Sequence, residues 1–300
     1  MLQIIQKRYW FFAFSLLIII PGIVSLSLWG LPLAIDFTGG SKLEVGVYGA
    51  DELSTSRITD LLDSQGFRDN VVQIADSEVI VIRTKSMDDT QKSDVILALE
   101  DEFDVNVELL SFESVGPVIG GEVASRAIQA VLIAAVGILV YISYAFRGVK
   151  KSFRYGVCAI FALFHDTIIV LGVASIFGRI FNWEIDALFL TALLTVIGFS
   201  VHDSIVVFDR IRENLLKYRR ADYEEVVNLS VLQTVDRSIN TQLTALFTLL
   251  ALALFGGSSI FHFVVTMMIG LVSGTYSSLF NAAPILVVWE KREWQRWFGT

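Results

Sequence analysis

The sequence predicts an α-helical integral membrane protein of six transmembrane helices, with a soluble α+β domain inserted after the first helix. Three observations predict this. With 54% hydrophobic residues over 300 positions and a mean hydropathy of +0.63, the chain is too apolar for a soluble domain of its size. The charges are unevenly spread. Residues 31–126 hold 19 acids against 7 bases and the remainder 12 acids against 16 bases, which separates an acidic soluble part from basic-flanked membrane helices. Finally, apolar runs long enough to cross about 30 Å of hydrocarbon recur on both sides of that acidic part.

Lys7-Arg8 precede an apolar segment over 9–29. It is longer than the apolar core of a secretory signal and no small-x-small cleavage site follows it, so residues 1–30 are expected to hold a cytoplasmic N-terminus and a retained first helix, kinked near Pro21-Gly22. Ile35-Asp36-Phe37-Thr38-Gly39-Gly40 then reads as a turn at the outer membrane–water boundary, its glycines free to take backbone angles closed to other residues.

The domain over 31–126 is read from its periodicity. Residues 42–47 alternate as a strand, and 54–65 have helical spacing through Ile58, Leu61 and Leu62, closed by Gly66. Residues 71–74 and 79–82 are β-branched runs joined by Asp76-Ser77-Glu78, 87–103 is a helix with Val95, Ile96 and Leu99 on one face, and 106–112 is a last strand. The order β-α-β-β-α-β is that of a split βαβ, ferredoxin-like unit. Five more membrane helices are expected over 127–146, 155–177, 187–208, 238–255 and 263–289, within a membrane region 127–290, followed by a cytoplasmic tail 291–300. Lys7, Arg8, Arg147, Lys150, Lys151, Arg154, the basic residues between Arg210 and Arg220, Lys291, Arg292 and Arg296 fall on one side, against Arg179 alone in the opposite short loops. Both termini are therefore expected in the cytoplasm and the acidic domain outside. The single cysteine, Cys158, excludes an internal disulfide or a cysteine metal cluster.

The chain is organised around 195–214, TVIGFSVHDSIVVFDRIREN, where membrane-grade sequence carries Asp203 before giving way to the charged segment Asp209-Arg210-Ile211-Arg212-Glu213. A carboxylate within a membrane helix costs about 2.5–3.5 kcal/mol on insertion scales and marks a protein interior or an ion path. Ser200 lies three residues before Asp203, and His202 beside it on another face. Asp166 sits mid-helix in the third span. Arg237, Asn240, Thr241, Thr244 and Thr248 form one polar stripe at three- and four-residue spacings along the fifth, and Asn240, Thr241, Thr244 and Thr248 with Ser200 and His202 are expected to make a supporting polar path. Because the fourth and fifth helices run antiparallel, an Asp203–Arg237 pair is geometrically possible; the arginine would favour the ionised acid and an arriving proton would loosen the pair. Arg237 could equally snorkel to lipid headgroups, and Asp166 could serve helix packing alone. His165 and His202 are expected in packing roles, since they lack a further metal-ligand set. The charged segment 209–213 reads as an amphipathic helix at the inner surface. Gly270, Gly274, Ser277, Ser278 and Asn281 give the sixth helix a small-residue face for tight packing, internal or with a partner.

Motifs across nearly the whole chain resemble the SecF family of protein-export membrane subunits within the RND superfamily. They are Asp36-Phe37-Thr38-Gly39-Gly40; Val115-Gly116-Pro117 with Ile119-Gly120; His165-Asp166; Gly198-Phe199-Ser200-Val201-His202-Asp203-Ser204 running on to Asp209-Arg210-Ile211-Arg212-Glu213-Asn214; and Gly274-Thr275-Tyr276-Ser277-Ser278 with Ala282-Ala283-Pro284. The chain departs from the family at Phe199, His202 and Ser204, where tyrosine, asparagine and threonine are common, and over 241–245. The resemblance implies one six-helix half of an RND-type bundle, in a non-enzymatic subunit of the bacterial cytoplasmic membrane. With SecD as its partner it would use a proton or sodium gradient to draw out preproteins that SecA has started through the SecY-SecE-SecG translocon. It implies Asp203, Arg237 and Asp166 in ion coupling, no cofactor or metal, and no nucleic-acid partner. Three rivals remain. Paired membrane aspartates also describe an intramembrane aspartyl protease, although its Gly-x-Gly-Asp signature is absent. A passive assembly subunit would use the acids structurally, and an RND-like small-molecule exporter would need a larger external domain.

Overall fold

The computed structural model describes residues 3–49, 53–76, 78–148, 151–293 and 295. Lys150, Arg296, Ser77 and most of the tail 291–300, which entered the charge and turn arguments above, lie outside the described residues. The chain divides into two compact units, Leu33–Ile128 and the remainder.

The soluble unit opens with one helical turn, α2 (Ile35–Thr38), where a plain turn was expected; α1 is the preceding membrane helix. Strands β1 (Gly40–Val47), β2 (Val71–Asp76), β3 (Val79–Thr84) and β4 (Val107–Val115) alternate with α3 (Thr55–Ser64) and α4 (Asp89–Phe103). Sheet order is β2-β3-β1-β4, with every neighbouring pair antiparallel. The two β-α-β crossings are thus each split by an intervening strand, which bears out the ferredoxin-like expectation. Period-two alternation sends Leu43, Val45 and Val47 of β1 and Ile80 and Ile82 of β3 to one face. There they meet Ile58, Leu62, Val95 and Leu99, all at most 1% exposed. Helix α4 starts at a capping box in which Asp88 accepts from Gln91 N–H and the Gln91 side chain accepts from Asp88 N–H.

The glycines after α2 have a steric reason. Gly39 has φ +73°, and a Cβ there would stand 2.5 Å from Pro117 Cα; a Cβ on Gly120 would stand 2.6 Å from Gly39 N. The Gly39-Gly40 and Gly116-Pro117/Gly120 motifs are two sides of one backbone contact.

In the membrane unit, six helical segments among the described residues are long and apolar enough to cross a bilayer. They are α1 (Arg8–Trp29, with Pro21 inside), α5 (Pro117–Ala145, begun in the soluble unit), α6 (Phe153–Phe181), α7 (Ala187–Lys217), α8 (Tyr223–Phe255), and a composite of α9 (Ser258–Ser277), a π-helical turn (Ser278–Ala282) and α10 (Ala283–Glu290). Three bounds differ from expectation by nine residues or more. Helix α5 starts ten residues before 127, because Pro117 takes a first-turn position that needs no N–H. Helix α8 starts fifteen before 238, capped by Asp222, whose side chain accepts from Glu224 N–H. The charged segment 209–213 is the direct continuation of α7, and not a separate surface helix; Ile211 and Asn214 are buried against α8. The core is formed by α6, α7 and the composite helix, whose most apolar windows are 50%, 50% and 56% buried against 6% for α5 and 11% for α8. Helix α1 crosses α6 where Gly22 meets Gly172, with Ser25 Oγ and Ser175 Oγ 2.7 Å apart alongside.

Candidate functional site

Asp203 and Asp166 are both buried, 3% and 1% exposed. Their surroundings differ. Asp166 is saturated: Oδ1 accepts from Ser273 Oγ (2.6 Å) and faces His165 Nδ1 (2.9 Å), and Oδ2 accepts from Ser200 Oγ and Ser277 Oγ (2.6 Å each). A carboxylate has about four lone-pair sites, and here α6, α7 and α9 fill them. The small-residue face of the sixth span packs internally to permit this. A Cβ on Gly270 would lie 2.2 Å from Val196 Cγ2, and Gly274 lies against Ser200. Ser278 and Asn281, at the π turn, are buried as well.

Asp203 has a neutral direct partner, Gln242 Nε2, which donates to Oδ2 at 3.0 Å. His202 Nδ1 is 4.0 Å from Oδ1, beyond hydrogen-bond length, and its side chain is 62% exposed, so it does not serve the packing expected of it. Nor does Arg237 form the expected pair: it is exposed and, among the described residues, has no ion pair with Asp203. The antiparallel register explains why. Asn214 meets Ser230 and Asp203 meets Gln242, so eleven residues along α7 match twelve along α8. Arg237 stands five residues short of Gln242, about 7–8 Å nearer the α7–α8 turn. There it lines a surface cavity of about 260 Å³ with Phe146, Val206, Asp209 and Arg212.

The stripe Asn240, Thr241, Thr244 and Thr248 is exposed throughout and is not an internal path of this chain. Thr244 and Thr248 return their hydroxyls to Asn240 O (2.9 Å) and Thr244 O (3.1 Å). Behind the stripe, Gln242 and Ser238 face inward, and Gln242 Oε1, Ser238 Oγ and Ser204 Oγ are buried without a hydrogen-bond partner among the described residues. Sequence reasoning passed over Gln242, Ser273 and Ser15; the four-residue spacing of Ser238 and Gln242 was the available signal. Of the remaining motif positions, Arg210 reaches Gln233 (2.6 Å), which ties the cytoplasm-expected ends of α7 and α8 together, while Arg210–Glu213 (2.5 Å) and Asp209–Arg212 (2.8 Å) are pairs within α7. Gly198 is exposed with open space at its Cα, and Asp36 is half-buried on α2.

The Asp166 and Asp203 carboxylates share no hydrogen bond among the described residues, and Asp166 is fully occupied by donors.

Residues 95–292 match the family described as protein export membrane protein SecD/SecF, C-terminal. The chain is 50% identical to the protein translocase subunit SecF of Anaerolinea thermophila over 99% of its own length and 97% of that protein's. It is 36% identical to the protein translocase subunit SecDF of Bacillus subtilis over 96% of its length, but only 38% of that protein's. The crystal structure of SecDF from Thermus thermophilus, a translocon-associated membrane protein, superposes with a TM-score of 0.82 at 31% identity, covering 97% of this chain and 39% of that one. The chain therefore spans about two-fifths of each SecDF protein.

Proposed function

The chain belongs to the SecF family of protein-export membrane subunits, and we propose that with SecD it couples an ion gradient across the bacterial cytoplasmic membrane to late-stage preprotein translocation. The role is non-enzymatic. SecD is the partner supported by the SecDF relatives, whose length beyond this chain has room for a second half-bundle. The SecY-SecE-SecG translocon with SecA, and the preprotein, are assigned by the same kinship. The excess of basic residues on one set of loops supports cytoplasmic termini and an external soluble unit.

One observation carries the coupling role: Asp203 is buried at membrane depth with a neutral amide as its direct partner. A charge so placed is costly unless something compensates it, and a transported proton or cation is the compensation that a gradient can supply. Arg237 and the exposed stripe of α8 fit the same reading from the other side. Polar groups at membrane depth face protein or water rather than lipid, and a SecD half-bundle lying on α8 would enclose them.

The test is preprotein translocation into vesicles containing this chain and SecD, with an imposed gradient and with that gradient collapsed by a proton-selective or a sodium-selective ionophore. The proposal expects stimulation that one of the two ionophores removes. Stimulation that survives both would make the subunit a passive one.

A further inference from the structure

We propose that His165 is a proton-binding residue, with Asp166 as its fixed hydrogen-bonded counter-charge and the Ser15 hydroxyl as the group through which its proton is exchanged.

His165 stands between two partners: Nδ1 is 2.9 Å from Asp166 Oδ1 and Nε2 is 3.1 Å from Ser15 Oγ. Asp166 receives hydroxyls on its other sites, so as an ionised acceptor it fixes a proton on Nδ1. The open question for the ring is Nε2. Ser15 Oγ lies 2.9 Å from Asn281 Nδ2, 3.2 Å from Asn281 Oδ1 and 3.4 Å from the Tyr276 hydroxyl. With His165 neutral, Asn281 Nδ2–H donates to Ser15, and Ser15 O–H donates to Nε2. With His165 doubly protonated, Nε2–H donates to Ser15, and Ser15 O–H turns to Asn281 Oδ1. One proton is added at Nε2, one hydroxyl rotates, and no heavy atom moves. Both protonation states leave the imidazole fully hydrogen-bonded, which a packing histidine does not require.

The surroundings fit an exchanging site. Ser15, His165 and Asn281 lie at the floor of a groove of about 820 Å³ whose other walls, among them Phe12, Leu16 and Phe161, are apolar; Nε2 is on the Ser15 side of the ring and Nδ1 on the Asp166 side, toward the core. Asn281 is presented by the π-helical turn, an insertion that commonly re-aims side chains at functional sites. The titratable and charged groups facing the ring, among the described residues, are Asp166 on α6 and Tyr276 on α9, whose ring stacks at 6.1 Å and whose hydroxyl donates to Phe11 O at 2.7 Å. Helix α1 contributes Ser15; α7 contributes Ser200, with Asp203 one turn further along. Through Asp166 and Ser200 the charge on His165 bears on the same helix that carries Asp203. The node serves the ion-coupled cycle proposed above, yet its titration can be read without it.

Three histidines make the test direct. The complex of this chain with SecD, labelled with nitrogen-15 histidine in vesicles, is titrated by solid-state NMR, with His165→Gln assigning the signal. The expected result is a His165 signal that passes from the neutral, Nδ1-protonated tautomer to imidazolium over the titrated pH range, with a midpoint that Ser15→Ala displaces by about one pH unit or more. His165→Gln should also shift the pH profile of gradient-dependent translocation. A His165 signal fixed in one protonation state across the range overturns the proposal whether or not Ser15→Ala folds; so does an unmoved Ser15→Ala midpoint, or an unmoved pH profile. Asp203→Asn separates the two readings. It should abolish gradient-dependent translocation and leave the His165 transition in place, so failure of the coupling reading and failure of the histidine node give different results.

Discussion

Asp166→Ala is expected to loosen the membrane unit, and the structure sets the size of the effect. The substitution removes the acceptor of Ser200, Ser273 and Ser277, which are 2%, 7% and 0% exposed. It also removes the partner of His165 Nδ1. A buried donor left unsatisfied costs about 1–3 kcal/mol, so four would cost about 4–12 kcal/mol if nothing relaxed. Relaxation is available. Ser277 Oγ already lies 3.2 Å from Gly274 O, and Ser200 and Ser273 can turn to carbonyls in their own helices. Removing a buried charge also returns part of its desolvation cost. Together these bring the expected loss to roughly 2–5 kcal/mol, which for a unit of this size lowers the apparent unfolding midpoint by about 5–15 °C. Cys158 supplies the assay. It is the single cysteine, is 0% exposed, and sits on α6 eight residues before Asp166, so a fluorogenic maleimide reports unfolding as the purified protein is heated. Asp166→Asn keeps one acceptor oxygen and should fall less. A midpoint for Asp166→Ala within about 2 °C of wild type would refute the reasoning.

The other predictions concern packing, exposure and acid. Gly172→Leu should lower the same midpoint and break the Ser25–Ser175 contact, because even a Cβ at 172 would lie 2.6 Å from Gly22 Cα; Ala at Gly198, where nothing lies within 4 Å, is the control. Arg237→Ala should leave the stability within about 0.5 kcal/mol of wild type, as expected of an exposed side chain with no ion pair among the described residues, while abolishing gradient-dependent translocation; a large loss of stability would place the arginine inside the chain's own core. Lys291 Nζ, 3.1 Å from Asp222 Oδ2, holds that carboxyl below its usual range through a hydrogen bond. The lower value belongs to the folded state, so the contact stabilises fully above the unfolded value of about 3.9 and is lost as pH falls through and below it. Intrinsic-fluorescence melts of Asp222→Asn should accordingly show a smaller loss than wild type between about pH 4 and pH 2, and no difference in pH dependence above about pH 5.

What the sequence disclosed and what it withheld divide along physical lines. Apolar length, period-two alternation and β-branched runs are local, and they located the six spans and the strands that carry Leu43, Val45, Ile80 and Ile82. Helix starts at Pro117 and Asp222 were also written locally, as a first-turn proline and an N-cap, but hydropathy alone puts them ten to fifteen residues late. Interhelical register is not local. Whether Arg237 or Gln242 meets Asp203 depends on how the short turn between α7 and α8 sets the two helices, and the threonines that read as a polar path satisfy themselves on their own helix. The π turn depends likewise on tertiary fit, so Ser15, His165 and Asn281 could not be brought together from their separations of 150 and 266 residues.

The most direct measurement is gradient-dependent preprotein translocation in vesicles containing this chain and SecD, comparing wild type with Asp203→Asn at matched protein levels and confirmed assembly. Loss of the gradient-dependent component alone, with gradient-independent translocation intact, is the predicted result. Unchanged stimulation would contradict Asp203 as the ion-coupling group.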